Sequence, residues 1–243
     1  MSEPLLLTHE GLQLLLESES DPFRRRDLAP EQAEQYDRLQ KAGLLDERGR
    51  VTPESAPALA AIRQPVVRLE IEMAVGRTGR RWYAAMGETR SVILAPPSLA
   101  LGPDVSAAQV ASFAEPPSEF ELLVVERAWT PVEACSWLGV GPREQRADLI
   151  ELPADALQRR LADPAEPVPP GVDPEVWSQP LLMWGLTADP GGHSMLVLDA
   201  GASGLWAFAG RDPRARLVPL PSYEAWRLVL QAITEAFTTA QTS

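Results

Sequence analysis

The chain is poor in the residues that site chemistry usually draws on. Of its 243 residues one is cysteine, Cys135, and two are histidine, His9 and His193. A lone cysteine excludes an internal disulfide and a cysteine-based zinc site, and two histidines leave little material for a metal cluster. Lysine is as scarce: Lys41 is the single lysine among 22 basic residues. No apolar run approaches the ~18 residues that a membrane-spanning helix needs, so no membrane insertion is expected. The opening MSEPLLLTHEGLQLLLESES has no basic start and is broken by His9 and Glu10, so it does not read as a signal peptide. Together these absences predict a soluble, reduced, cytoplasmic protein.

Acid and proline are what the chain has in excess. Asp and Glu number 34 against the 22 basic residues, a net charge of −12. A chain so acidic repels phosphate backbones and anionic lipid, which argues against nucleic acid as a partner. The 24 prolines are about twice the ~5% of an average chain, and they fix many segment ends. The length suits one large domain or two small ones.

Leu12, Leu15, Leu16 and Glu19 have helical spacing after Thr8, a candidate N-cap. Arg24–Arg26 follow in a polar break and read as a solvated loop. Pro30 suits the first turn of a second helix that places Ala33, Tyr36 and Leu39 on one face and stops at Gly43. A turn at Asp46–Gly49 precedes a third helix, with Ala56, Leu59, Ala60 and Ile62 inward. This pair is a helical hairpin with too few basic side chains to serve as a DNA-binding helix-turn-helix.

Residues 67–75 alternate strictly, with Val67, Leu69, Ile71, Met73 and Val75 on one side and Arg68, Glu70, Glu72 and Ala74 on the other. One buried and one wet face favours an antiparallel sheet. Gly76–Gly79 makes a hairpin tip, Arg80–Met86 returns, Ser91–Ala95 is a third strand, and a short fourth lies near Leu99–Leu101. Ser106 with Gln109 forms a capping box for a following helix. Strands are also expected at Glu119–Arg127 and Arg146–Leu152, with helices at 130–138 and 153–161.

Five prolines fall between Asp163 and Pro174, an extended connector. Beyond it, strands are expected at Pro180–Ala188, His193–Ala200, Gly204–Gly210 and Arg214–Leu220. A long last helix starts at Ser222, with Trp226, Val229, Leu230, Ile233 and Phe237 as its apolar stripe. Four strands and a helix thus occur twice, near 67–115 and 180–238. The expected fold is α+β: an antiparallel sheet with helices, in two pseudo-repeated halves of about 1–162 and 175–243, joined by the connector 163–174.

No residue set composes a catalytic centre. Cys135 sits beside Ala134 and Trp137 and reads as a small buried hydrophobe. His193 and Ser194 are adjacent on a strand, so they point to opposite faces and cannot act as a pair. Gly201–Gly204 lacks nucleophile-elbow spacing, and Gly76–Arg80 lacks the Lys-Ser/Thr of a phosphate loop. The expectation is a protein that is not an enzyme and needs no cofactor. Trp and Arg are favoured at protein interfaces, so a binding protein is expected instead. Arg77, Arg80 and Arg81 form a rare basic spot able to select an acidic partner surface, and Trp82 could anchor it unless strand alternation turns that ring into the core.

Three stretches resemble one family. LQKAGLLDERGRVTPESAPALAAIRQPVVRLEIEM (39–73) is similar to the EspG segment in which a helix ends in a Gly-Leu turn, a short Leu/Ala helix ends at a Pro, and an alternating strand follows. LIELPADAL (149–157) resembles the mid-chain strand and helix start, and RLVPLPSYEAWRLVLQAITEA (216–236) the last strand and helix. The likeness spans about 60% of the chain and leaves out the first 28 residues and the 163–174 connector. It implies a cytosolic chaperone of actinobacterial type VII secretion, with pseudo-two-fold halves around an antiparallel sheet. Such a chaperone binds the helical tip of the PPE subunit in a PE–PPE heterodimer, keeps it soluble for export, and uses no cofactor. The alternatives are a regulatory or immunity-type interaction module of similar fold without a secretion role, and a small-molecule enzyme that works with carboxylate and backbone groups.

Overall fold

The computed structural model describes residues 5–18, 23–75, 78–100, 117–143, 148–191, 193–209 and 214–242. Its strands are β1 (Leu5–Thr8), β2 (Val67–Val75), β3 (Thr78–Met86), β4 (Arg90–Ala95), β5 (Glu119–Glu126), β6 (Ile150–Pro153), β7 (Leu182–Asp189), β8 (His193–Asp199), β9 (Leu205–Phe208) and β10 (Arg214–Pro219). Its helices are α1 (His9–Glu17), α2 (Pro30–Lys41), α3 (Ala56–Arg63), α4 (Thr130–Trp137), α5 (Ala154–Ala162), α6 (Pro174–Ser178) and α7 (Ser222–Thr242). The chain divides into two compact units. One comprises Met1–Arg68, Tyr83–Pro97 and Pro117–Thr130; the other comprises Leu69–Trp82, Ser98–Pro116 and Pro131–Ser243.

In the first unit Thr8 caps α1 as its sequence position predicts, its hydroxyl accepting from the Gly11 N–H. Gly11 lets α2 come close, because a Cβ there would lie 2.5 Å from Gln35 Oε1. α2 begins at Pro30 and stops before Gly43, whose φ of +73° suits a residue without a side chain. β1 pairs with β5, β5 with β4, and β4 with the second half of β3, all antiparallel. Leu7, Leu14, Leu15, Tyr36, Leu39, Leu59, Val92 and Leu122 close the core between these strands and α1–α3. In α3 the buried residues are Ala58, Leu59 and Ala61. Ala56 and Ala60 face solvent, contrary to the spacing-based reading, because a turn over 53–55 resets the phase of the helix.

In the second unit β7, β8, β9, β10 and β6 follow one another in hydrogen-bonded order, again antiparallel. α5 and α6 cover one face of this run, where Ile150, Leu152, Leu157, Val176, Trp177, Leu198, Trp206 and Leu217 form one core. That core takes residues from both sides of the 163–174 connector, which therefore lies inside the unit. Trp177 Nε1 donates to the Glu166 carbonyl at 2.9 Å, and Arg159 pairs with the Glu166 carboxylate at 2.7 Å, so the connector is tied down at Glu166 from both flanking segments. α7 is set against β7.

Read outward from β2 the strand order is β2-β3-β4-β5-β1, and outward from β7 it is β7-β8-β9-β10-β6. The same order thus occurs twice, with five strands per run. The fourth strand of the first copy is β5, followed by α4. Leu99 and Ala100 form no strand, which corrects the sequence-based placement near Leu99–Leu101. The Ser106–Gln109 capping box lies outside the described residues.

Candidate partner-binding face

β2 has the alternation its sequence dictates: Leu69, Ile71 and Met73 are buried, while Glu72 and Ala74 are exposed. The exposed side of β2 runs on through Gly185 and Thr187 of β7, Ser194 and Leu196 of β8 and Phe208 of β9. These residues line a concavity of about 480 Å³ with Glu72 at one edge. Gly185 leaves it open. A Cβ at that position would make only ordinary contacts, 3.5 Å from the Met195 carbonyl and 3.7 Å from Leu196. The floor is therefore carried by strand residues around a position without a side chain.

Of the four residues singled out from sequence, the structure places three. Arg81 is 63% exposed on the return strand β3 and forms an ion pair with Glu72 at the rim of the concavity. Arg80 is half-buried, its Nη1 3.4 Å from the Gly79 carbonyl. Trp82 is 1% exposed, so strand alternation puts its ring in the core, where it supports the strand from behind. Arg77 lies outside the described residues. Gly185, Thr187, Ser194, Leu196 and Phe208 escaped the sequence reading, because Gly, Thr and Ser on alternate strand positions look like any solvated face, and Leu196 and Phe208 like ordinary core residues of a strand.

The tryptophans divide as interior residues do. Trp82, Trp137, Trp177, Trp184 and Trp206 are buried, while Trp129 is exposed.

The reactive groups elsewhere are confined by burial. Cys135 is 3% exposed, and burial pushes its thiol up to about 12, so it stays protonated and inert. Asp199 is fully buried at the end of β8. Burial drives its carboxyl up to about 6, and the Arg143 guanidinium beside it holds it from rising further. Its Oδ1 accepts from Arg143 and, at 2.8 Å, from the Gly201 N–H, which fixes the turn after β8; its Oδ2 has no hydrogen-bond partner among the described residues. Arg143 also donates to the Gly139 and Gly201 carbonyls. This is a structural tether. Among the described residues no group of three or more His, Cys, Asp and Glu could hold a metal ion, and no helix is long and apolar enough to cross a membrane.

No protein-family model matches the chain, and no curated protein matches it. Among solved structures it is similar to the Mycobacterium tuberculosis type VII secretion system chaperone EspG5, solved in complex with the PE25-PPE41 dimer. The TM-score is 0.53, over 95% of this chain and 96% of that chain. The fold resembles that of EspG5. Identity is 10%, so the likeness is one of fold: α+β, a large antiparallel sheet with helices. The solved neighbour is a chaperone rather than an enzyme, and it is held in complex with a protein dimer.

Proposed function

We propose that this chain is a chaperone-like binding protein that takes a helical protein partner, of the PE–PPE heterodimer kind, on the exposed face of β2, β7, β8 and β9. It keeps that partner soluble for type VII export and performs no catalysis. The observation that carries this reading is the likeness to EspG5 along nearly the whole of both chains. The concavity beside Glu72 and Arg81 supports it, since a helix end set there meets an open floor at Gly185 and charged donors at the rim. Arg77, Arg80 and Arg81 are the proposed partner contacts, and Arg side chains suit carboxylates at a helix end. Trp82 contributes by holding β3 in place.

Co-expression with a PE–PPE heterodimer from the same genome tests this. A stable complex on size exclusion is expected, lost when Arg77, Arg80 and Arg81 are changed together to Ala, since interface hot spots cost ~2 kcal/mol or more each. A complex that survives the triple change undiminished contradicts the assignment of the arginines. Failure to bind any such heterodimer contradicts the proposed role.

A further inference from the structure

The first unit holds a cleft of about 700 Å³ lined by Arg24, Arg25, Arg26, Arg48 and Arg50 together with Phe23 and Tyr36. Five of the chain's 22 basic residues thus meet in one place on a chain of net charge −12. The arginines come from two segments more than twenty residues apart, and Gly49 is what joins them. It has φ +71°, and a Cβ there would lie 2.2 Å from the Phe23 carbonyl oxygen and 3.1 Å from the Tyr36 hydroxyl. Only glycine lets the Asp46–Arg50 turn seat against Phe23, which brings Arg48 and Arg50 opposite Arg24–Arg26.

We infer that this cleft binds an extended acidic peptide segment of a protein partner. The proposal stands apart from the partner-binding face on β2 and β7–β9. Three features select the ligand. Arg25 already shows what the cleft's donors do, gripping the Asp37 carboxylate through two bonds of 2.6 and 2.7 Å. Arg26 has only a loose 3.6 Å approach to Asp27, and Arg24, Arg48 and Arg50 have no side-chain ion pair among the described residues. Arg48 and Arg50 sit in the field of the Asp46 carboxylate but are gripped by no side chain among the described residues, which leaves their donors for carboxylates from outside. The turn's own amides are spent, because the Arg48 and Arg50 N–H groups both donate to Asp46 Oδ1, at 2.8 and 2.9 Å. A phosphate cradle relies on such converging amides, and here they point away from a ligand. Glu47 on the wall repels a compact multivalent anion, whereas a chain with spaced carboxylates can straddle it.

The test is fluorescence anisotropy of a fluorescein-labelled (Asp-Ser)5 peptide titrated with the full chain at about 50 mM salt. Saturable binding is expected, weakened at least tenfold in the Arg24→Ala/Arg48→Ala/Arg50→Ala variant and about tenfold by raising the salt to 0.3 M, as exposed charge pairs are screened. The Lys-for-Arg triple variant should retain part of the affinity, and a (Lys-Ser)5 peptide should not bind. The Gly49→Ala variant moves the turn and should also lose affinity; the arginine variants test the cleft even if that one folds poorly. No saturable binding, equal binding by wild type and the alanine variant, or tripolyphosphate binding where the peptide does not, each overturns the proposal. All three readings are independent of any PE–PPE complex, so they fail separately from the chaperone role.

Discussion

The last residue of β3 and the last residue of β8 hold the same place in the twice-repeated strand order, and both are fully buried. One is Met86 and the other is Asp199. In the first run the hairpin end is filled with apolar atoms. Beside it the Thr130 hydroxyl donates to Ser91, the residue paired with Met86, in a neutral bond of 2.8 Å. In the second run the same place carries a charge, and the charge draws in Arg143 from beyond α4. One strand order is thus closed once by packing and neutral hydrogen bonding and once by an ionic tether. Topology fixes where a hairpin must be held, and the local residues decide how sensitive that hold is to pH and to deletion.

The sharpest way to break this comparison is to remove Arg143. Arg143→Ala leaves a buried carboxylate without its cation and should cost ~3–5 kcal/mol near neutral pH. The sign of the pH effect follows from a carboxyl raised above its ordinary 3.8 to about 6. Stability from this group is fully present below about pH 4 and is lost as pH rises through about 6. Without Arg143 the carboxyl rises further, so the cost of the substitution should be larger at pH 8 than at pH 4.5. Urea denaturation at the two pH values measures it, and equal costs would show that the charge on Asp199 is not the cause.

Thr130→Val tests the neutral counterpart. It leaves a buried Ser91 hydroxyl unpartnered and should cost ~1–2 kcal/mol, with the same value at pH 5 and pH 8. A pH-dependent cost there would erase the contrast between the two runs. Gly185→Ala should stabilise by ~0.5 kcal/mol, since the strand interior loses a flexible residue and the new Cβ meets only ordinary contacts. A loss above ~1 kcal/mol in the thermal midpoint series would mean that the concavity is already filled. The smallest effect belongs to Arg81→Ala. Its pair with Glu72 is exposed on both sides, so stability should change by under ~0.5 kcal/mol.

Much of the fold was legible where the chain alternates or is punctuated. Residues 67–75 read as a strand because five apolar residues occupy every second position, and α2 read as a helix from Pro30 to Gly43. β1 was not legible: Leu5–Thr8 offers no alternation and merges with the helix that Thr8 caps. α7 was legible as a helix and largely in phase, with one residue misplaced and its small buried residues missed. Val229 and Ile233 of the expected stripe are buried, yet Leu230 is 45% exposed, and the buried Ala225, Ala232 and Ala236 went unread. Small residues allow close approach to the strands, and a reading by side-chain size misses that. The site divides the same way. Arg81 stood out by charge, but the floor at Gly185 is made by a missing side chain, which carries no signature of its own. The cleft around Arg24 and Arg48 needed the fold, because Gly49 reads from sequence only as a turn.

The central claim is that the exposed face of β2, β7, β8 and β9 receives a helical protein partner. Calorimetric titration of a PE–PPE heterodimer into wild type and into Gly185→Trp tests it most directly. The account predicts saturable binding by wild type and at least a hundredfold loss in Gly185→Trp, with thermal stability of the two chains within a few degrees. Unchanged affinity when an indole occupies the concavity would contradict it.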